Sequence, residues 1–475
     1  MQKNKKLGRK KNYPLLENIE ILELASEGKS LAKIDNLVVF VTNDAVPGDI
    51  VDLQVVKKRK RYYEAIPVNF RKLSKNHIKP ICENFGTCGG CKWQNLKYEE
   101  QIKYKEKQVF DQISRIGKAV ASRINPIIGA EKTEYYRNKL EFTFSNKRWI
   151  TKEEVENKTE ISEKRALGFH IPGRFDKILD IKQCYLQKDP SNEIRQAIKK
   201  FAIKNNFEFF DLIEQKGFLR NLIIRTTSKN EVMVIVSFFK DDKTKIKKIL
   251  SFLKEKFPEL TSIMYVINPK GNDTINDLNL KLFHGKEYIT EIMDDLKFKI
   301  GPKSFFQTNY EQALKLYRIT KEYAKLTGKE IVYDLYTGTG TIANFIAKDA
   351  KQVIGMEYIE EAIEDAKKNS AINKINNAEF ITGDIKDMFT LNFMAKHGKP
   401  DVVILDPPRA GVHPEILKNM IFALPLRIVY ISCNPATQAR DIAILNKHYG
   451  IKQIQPIDMF PHTHHVENIV LMEKY

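Results

Sequence analysis

Three regimes of hydrophobic patterning succeed one another along the chain. From Ile19 to Phe70 the apolar positions come in short runs: Ile19-Glu-Ile-Leu-Glu-Leu, Leu37-Val-Val-Phe-Val-Thr and Ile50-Val-Asp-Leu-Gln-Val-Val. Alternation at period two and β-branched runs predict strands. Asn43-Asp44 and Pro47-Gly48-Asp49 supply turns between them. Short strands packed this closely predict a small β-barrel of the oligonucleotide-binding kind over residues 13–72. A helix is predicted from Tyr98 to about Ile116. Residues 73–302 then mix strands (Leu222-Ile-Ile-Arg-Thr, Val232-Met-Val-Ile-Val-Ser-Phe) with helices (Ser191 to Asn205, Lys243 to Phe257), an α+β central domain. Over residues 303–475 short apolar strands alternate with helices, which predicts a doubly wound, Rossmann-like α/β domain.

Charge sharpens this picture. The 475 residues exceed a single core and carry a formal charge of +19. The excess is clustered. Lys3, Lys5, Lys6, Arg9, Lys10 and Lys11 form a basic tail over residues 1–12, and Lys57-Lys-Arg-Lys-Arg61 leads into Tyr62 and Tyr63. Cations beside aromatic rings suit phosphate tracking and base stacking, so a nucleic acid is the expected partner. No apolar run approaches the roughly 18–20 residues of a membrane span, and no apolar stretch follows the basic start as in a secretory signal. A cytoplasmic monomer with no membrane contact is expected.

Five cysteines in a reducing compartment are not expected to pair as disulfides. Cys82, Cys88 and Cys91 cluster while Cys184 and Cys433 lie far off, which suggests a metal or cluster site plus a separate thiol.

Glu330-Ile-Val-Tyr-Asp-Leu-Tyr-Thr-Gly-Thr-Gly-Thr341 reads as a strand, an acid and a glycine turn, with a helix after it. The turn has neither the third glycine of a dinucleotide fingerprint nor the Lys-Ser/Thr of a P-loop. Gln352-Val-Ile-Gly-Met-Glu357 ends the next strand on a carboxylate placed for ribose hydroxyls. This pattern suits S-adenosylmethionine. Asp384, closing Ile381-Thr-Gly-Asp, is either an adenine contact or a solvated turn acid.

Asp401-Val-Val-Ile-Leu-Asp-Pro-Pro-Arg-Ala-Gly411 is a fourth strand whose two prolines fix the backbone after Asp406. Arg427-Ile-Val-Tyr-Ile-Ser-Cys433 ends on a thiol, and Pro461-His-Thr-His-His-Val-Glu467 brings a carboxylate to another strand end. A lone strand-end cysteine is commonly a small core residue. Thiol and carboxylate together have a chemical use. Carbon 5 of uracil becomes nucleophilic once a thiolate adds to carbon 6, and a base must later remove the carbon 5 proton. Cys433 and Glu467 suit those two roles. His462, His464 and His465 could bind a metal or hydrogen-bond locally.

These residues resemble the uracil-5 RNA methyltransferase family, bacterial 23S rRNA branch. The resemblance runs over nearly the whole chain. It rests on Cys82-Glu-Asn-Phe-Gly-Thr-Cys-Gly-Gly-Cys91 with Cys184, Ser304-Phe-Phe-Gln-Thr-Asn309, Asp334-Leu-Tyr-Thr-Gly-Thr-Gly340, Asp406-Pro-Pro-Arg-Ala-Gly411, Ser432-Cys-Asn-Pro-Ala-Thr437 and Phe460-Pro-His-Thr-His-His-Val-Glu467. It implies Cys433 as nucleophile and Glu467 as base, with Gln307, Tyr336, Glu357 and Asp406 lining the cofactor and uracil site. It also implies a TRAM module for the barrel and a [4Fe-4S] cluster on Cys82, Cys88, Cys91 and Cys184. By spacing alone zinc is the alternative, although three near ligands and one remote suit a four-iron cluster better. Thr337 departs from the pattern, standing where many members carry a noncatalytic cysteine. A 23S rRNA uridine reached by base flipping is the expected substrate. The tRNA branch is disfavoured because it typically lacks both barrel and cysteine cluster, and a noncatalytic protein is disfavoured because thiol and base are both present. Arg137 and Arg220 are candidate phosphate contacts.

Overall fold

The computed structural model describes residues 13–42, 44–118 and 121–475. The basic tail over residues 1–12 and Asn43 of the expected turn lie outside them. Contacts divide the chain into two compact units. One holds the residues up to Tyr104 together with His462–His464; the other holds Lys105–Pro461 and His465–Tyr475.

In the first unit six strands, β1 (Leu15–Glu20), β2 (Glu23–Leu24), β3 (Ser30–Ile34), β4 (Leu37–Val41), β5 (Ile50–Lys58) and β6 (Tyr62–Lys72), pair in the order β1-β5-β6-β4-β3-β2. The two ends of that order, β1 and β2, are only two residues apart in sequence, so the sheet curls until its edges meet. This closure explains a difference from expectation: Ile19 to Leu24 is not one strand. Ile21 donates to Asp49 O (2.9 Å), beyond β5, while Leu22 donates to Leu31 O (2.8 Å) in β3. The chain turns a corner here and pairs with a different neighbour on each side. Inward positions such as Ile21, Val39, Val51, Leu53 and Ala65 fill the interior. Lys57 and Lys58 close β5, and Arg59 to Arg61 form the turn to β6. The Lys58 ammonium lies 4.8 Å from the Tyr63 ring centroid, and Tyr62 meets Phe40 edge-on at 5.4 Å.

A helix, α1 (Tyr98–Arg115), follows, then the two-residue strand β7 (Arg123–Ile124). In the second unit a seven-stranded sheet is built from β8 (Lys139–Ser145), β9 (Ala166–Ile171), β10 (Arg174–Asp180), β11 (Leu219–Thr226), β12 (Val232–Phe238), β13 (Ser262–Ile267) and β14 (Leu280–Gly285). Helix α2 (Lys152–Glu156) lies between β8 and β9 in sequence; α3 (Ser191–Lys204) and α4 (Lys243–Lys256) start at the predicted residues and end within one of them. A hairpin of β15 (Ile289–Met293) and β16 (Leu296–Ile300) leads to α5 (Tyr310–Ala324).

The last sheet carries the chemistry. Its strands β17 (Ile331–Leu335), β18 (Gln352–Glu357), β19 (Ala378–Thr382), β20 (Val402–Leu405), β21 (Arg427–Ser432), β22 (Tyr449–Ile457) and β23 (Glu467–Lys474) join β7 in the order β19-β18-β17-β20-β21-β23-β22-β7. Helices α6 (Thr341–Ile346), α7 (Glu360–Ile372), α8 (Ile385–Met388), α9 (Leu391–His397), α10 (Pro414–Ala423) and α11 (Pro435–Leu445) connect them. Strand residues alternate between faces. Val332, Ile404 and Val429 pack with α5, α6 and α7, while Tyr333, Leu405 and Tyr430 pack with α8, α10, α11 and the end of α1. Both faces are covered, so β17 and β20 are apolar almost throughout. The chain leaves β17 toward β18 and β19 on one side and returns to β20 and β21 on the other. The crevice at their carboxyl ends is where such sheets bind ligands. Among the described residues no helix is long and apolar enough to cross a membrane.

Candidate active site

The crevice begins where β17 ends. Tyr336, Gly338 and Gly340 all take positive φ (67°, 55° and 71°), which folds the backbone sharply over the sheet edge. The two glycines do different work. A Cβ on Gly340 would stand 2.8 Å from Ala366 Cβ and 2.9 Å from Phe380, so its lack of a side chain lets α7 and β19 close in. A Cβ on Gly338 would meet nothing within 4 Å and would occupy open space above the turn. That open cradle fits a bound nucleoside. Fully buried Asp334 accepts from Thr337 Oγ1 at 2.5 Å, so Thr337 ties the turn back to the strand. Glu357 stands across the cradle and accepts from Gly338 N (3.2 Å), Tyr358 N (2.9 Å) and Ile359 N (3.1 Å).

Three further strand ends complete the edge. The antiparallel register pairs Ser432 of β21 with Asn468 of β23. Cys433 directly follows Ser432 and Glu467 directly precedes Asn468, so thiol and carboxyl come from adjacent strand ends, and the charge of Glu467 acts on the thiol. Asp406 follows β20 on the other side of β21. Burial pushes the Glu467 carboxyl up to about 8, helped by neighbouring Asp406 and opposed by Arg409. Burial also pushes Asp406 and Asp334 up to about 7 each. The Cys433 thiol is raised by burial and by Glu467 and Asp406, while Arg409 lowers it by charge and by a hydrogen bond from its side chain.

Sequence reasoning missed Arg409. Its Nη2 donates a hydrogen bond to His465 Nδ1 (2.9 Å), and its carbonyl accepts from Asn434 Nδ2 (3.0 Å) and Thr437 Oγ1 (3.2 Å). The Asn-Pro-Ala-Thr turn therefore does two jobs: Asn434 caps α11, and with Thr437 it holds the loop that brings Arg409 to the thiol. A cation two residues beyond the proline pair was the available signal. Buried Asp441, also missed, accepts from Val412 N (2.8 Å) and Tyr430 OH (2.7 Å), fixing the far end of that loop.

Gln307 is buried on the loop between β16 and α5, and its carbonyl accepts from Asn138 Nδ2 (2.9 Å). Arg225 clamps the same loop by donating to Gly301 O (2.8 Å) and Ser304 O (2.6 Å). Thr339 Oγ1 of the glycine turn donates to Phe305 O (3.3 Å), and the Phe305 ring is 68% exposed, a large apolar surface left facing water at the crevice. Asp384 is exposed, caps α8 by accepting from Lys386 N (3.1 Å) and pairs with the Lys386 ammonium (3.2 Å), which draws its pKa down. Those are the duties of a turn acid.

Arg220 is not a phosphate contact. It is 1% exposed and donates inward to Asn268 O (2.8 Å) and Asn272 O (3.1 Å) and to Asp273 (2.9 Å). His462 is held within the first unit: its carbonyl accepts from Lys92 N (2.7 Å) and Trp93 N (3.1 Å), and its amide donates to Gln101 Oε1 (2.9 Å).

The cysteine segment is half-buried. Gln94 Nε2 donates to Cys91 Sγ (3.3 Å), and N–H groups of Asn84 and Phe85 face the Cys82 sulfur, partly opposing the rise that burial causes. Donors aimed at sulfur suit thiolate ligands. Among the described residues no three His, Cys, Asp or Glu side chains are grouped to hold a metal ion. Cys184, in the second unit, is buried and fixed by Asn192, which accepts from its N–H (2.8 Å) and donates to its carbonyl (3.2 Å).

This geometry agrees with what the chain is similar to. Residues 211–475 match the family model described as tRNA (uracil-5-)-methyltransferase. The chain belongs to the uracil-5 RNA methyltransferase family. Residues 17–68 match the TRAM domain, so the barrel is a TRAM module. An "uncharacterized RNA methyltransferase" of Bacteroides thetaiotaomicron is 56% identical over 453 residues, covering 95% of this chain and 100% of the relative. One from Chlorobaculum tepidum is 36% identical over 96% of each. The crystal structure of Pyrococcus abyssi tRNA (uracil-54, C5)-methyltransferase with S-adenosyl-L-homocysteine is similar at a TM-score of 0.75 and 27% identity, covering 96% of this chain and 100% of that one. S-adenosylmethionine is thus supported as methyl donor, and RNA as the substrate class. The same match corrects one expectation. That tRNA enzyme aligns along its whole length with nearly all of this chain, so an N-terminal barrel does not separate rRNA from tRNA enzymes.

Proposed function

We propose that this methyltransferase acts on carbon 5 of a uridine in 23S rRNA, through a transient covalent bond between Cys433 and carbon 6 of the base. The observation that carries the reading is the convergence of the Cys433 thiol, the Glu467 carboxyl and the Arg409 guanidinium at one sheet edge.

Cys433, deprotonated and held by Arg409, adds to carbon 6, and the displaced π-electrons make carbon 5 nucleophilic. Carbon 5 then takes the methyl group, leaving the donor as its neutral thioether. When bound, S-adenosylmethionine would supply that methyl, with the open space above Gly338 and the Glu357 carboxylate holding its nucleoside and Asp334 and Asp406 contributing acid groups to the crevice. Glu467 accepts the proton from carbon 5, the double bond re-forms, and the carbon–sulfur bond breaks to return the thiolate. Burial suits Glu467 to this task, because a carboxylate disfavoured in its charged form is a stronger base. Gln307 and Asp406 orient the uracil edge, with Tyr336 at the crevice wall. The target base must leave its stack to reach a thiol in a crevice.

The rRNA substrate rests on the cysteine-bearing segment. The P. abyssi likeness favours a second reading, tRNA. We also propose that Cys82, Cys88 and Cys91 bind an iron–sulfur cluster; spacing and the donors at sulfur support this, and iron and sulfide analysis of anaerobically purified protein tests it. Methyl transfer from radiolabelled S-adenosylmethionine to unmodified 23S rRNA and tRNA transcripts, followed by nucleoside analysis, tests the function. 5-Methyluridine in 23S rRNA, abolished by Cys433→Ser, is expected; methylation of tRNA alone moves the assignment to the second reading; label at any other atom contradicts both.

A further inference from the structure

A second cavity, of about 650 Å³, lies within the second unit between the Lys132–Asn138 segment and the start of α5. It is large enough for a nucleotide. Its lining residues are bonded to the loops that carry Gln307 and precede Glu467. Asn138 donates to Gln307 O (2.9 Å), Asn309 Nδ2 donates to Met459 O (3.0 Å) and Tyr136 OH donates to Pro461 O (3.1 Å).

Two of its residues stand out, one for an unpaired buried donor and one for its backbone conformation. Arg137 has its guanidinium 5.7 Å from the Phe460 ring centroid, yet its buried Nε has no hydrogen-bond acceptor. Among the described residues no carboxylate forms an ion pair with it. A buried donor without an acceptor is costly and calls for an explanation, such as an anion that arrives later. Tyr135 has φ of 55° and its side chain is 39% exposed, fixed by a bond from its N–H to Tyr185 O (2.7 Å). A non-glycine residue held in that conformation costs free energy, and such residues concentrate at ligand sites.

The carboxylates in the cavity do not cancel the cations that matter. Glu311 pairs with Lys132. Glu291 accepts from Ser228 N, and burial pushes its carboxyl up toward the neutral form. Glu134 remains, against Arg137 and Lys188, whose ammonium bonds neutral Asn230 (2.7 Å).

We propose that this cavity binds a nucleotide of the RNA flanking the target uridine, its phosphodiester on Arg137 and its base against Tyr135. The inference rests on the RNA reading above and adds a subsite to it. Seated there, the nucleotide grips the strand next to the loop carrying Gln307, so the neighbouring uridine is presented to the crevice from a fixed point. Arginine serves phosphate through several donors at once, and a tyrosine face accepts any base.

The test measures binding of a fluorescent oligouridylate of about twelve nucleotides across a range of salt, with S-adenosylhomocysteine affinity as the control for folding. In Arg137→Gln the slope of log K against log salt should fall by about 0.7, the change for one phosphate contact on a single strand. In Tyr135→Ala the affinity should drop about tenfold at unchanged slope, as for one lost stacking contact. Lys188→Ser, at an exposed position, repeats the slope measurement should Arg137→Gln fail to fold. If wild type binds the oligomer while every folded variant matches it in affinity and slope, the subsite is refuted and the RNA reading stands. If wild type binds no RNA at all, both fall.

Discussion

Arg409→Gln isolates the group that keeps the Cys433 thiol reactive. Burial and two neighbouring carboxyls raise that thiol, and Arg409 opposes them by its charge and its hydrogen bond to the sulfur. A hydrogen bond to a charged group contributes roughly 1.5–3 kcal/mol. Arg409 is exposed, so water screens part of its charge and the lower end of that range applies. Losing about 1.4 kcal/mol of that preference for the thiolate corresponds to a roughly tenfold fall in the thiolate fraction near neutral pH. Alkylation of the Cys433 peptide by iodoacetamide, followed by mass spectrometry against pH, reads this directly. The variant should react about tenfold more slowly near neutrality, with its midpoint displaced upward and its rate converging on wild type in strong alkali. The other cysteine peptides serve as internal controls. Superimposable profiles for Cys433 in the two proteins would refute the role given to Arg409.

Glu467→Gln should still form the adduct and methylate once but not release, so methylated covalent complex accumulates on denaturing gels while turnover falls roughly 10²–10⁴-fold, the usual contribution of a general base. Because the folded-state carboxyl of Glu467 is raised to about 8, its contribution to stability is full below its ordinary range and is lost as pH rises through about 8; thermal melts of Glu467→Gln without ligand should therefore gain on wild type as pH rises from 5 to 9. Lys105 and Asp458 form an ion pair at 2.5 Å with both side chains fully buried, and Lys105→Met, which strands the carboxylate, should destabilise by about 3–5 kcal/mol in urea titrations. Gly338→Ala should weaken S-adenosylmethionine binding in calorimetry with little loss of fold, whereas Gly340→Ala, whose Cβ would press on Ala366 and Phe380, should lower the melting temperature.

The readable parts of the chain were those governed by local pattern. Val232–Phe238 was expected as a strand and is one, because a continuous run of apolar and β-branched residues has few alternatives when both faces are covered. The break after Glu20 was not readable, since a barrel corner depends on which strands meet across the closure. In the site, Cys433 and Glu467 stood out because one directly follows a strand and the other opens one at the sheet edge. Arg409 and Asp441 did not, because their importance lies in partners from other loops. Arg220 shows the converse: an arginine on an apolar strand looks available in sequence, but the carbonyls of residues 268–272 enclose it.

The most direct test of the account uses RNA containing 5-fluorouridine, in which carbon 5 has no proton for Glu467 to remove. With S-adenosylmethionine present, the account predicts a denaturation-resistant protein–RNA complex whose cross-linked peptide contains Cys433 and whose pyrimidine carries both fluorine and the new methyl. Methyl transfer to natural RNA that proceeds at the normal rate in Cys433→Ala, or a complex mapped to another cysteine, would contradict it.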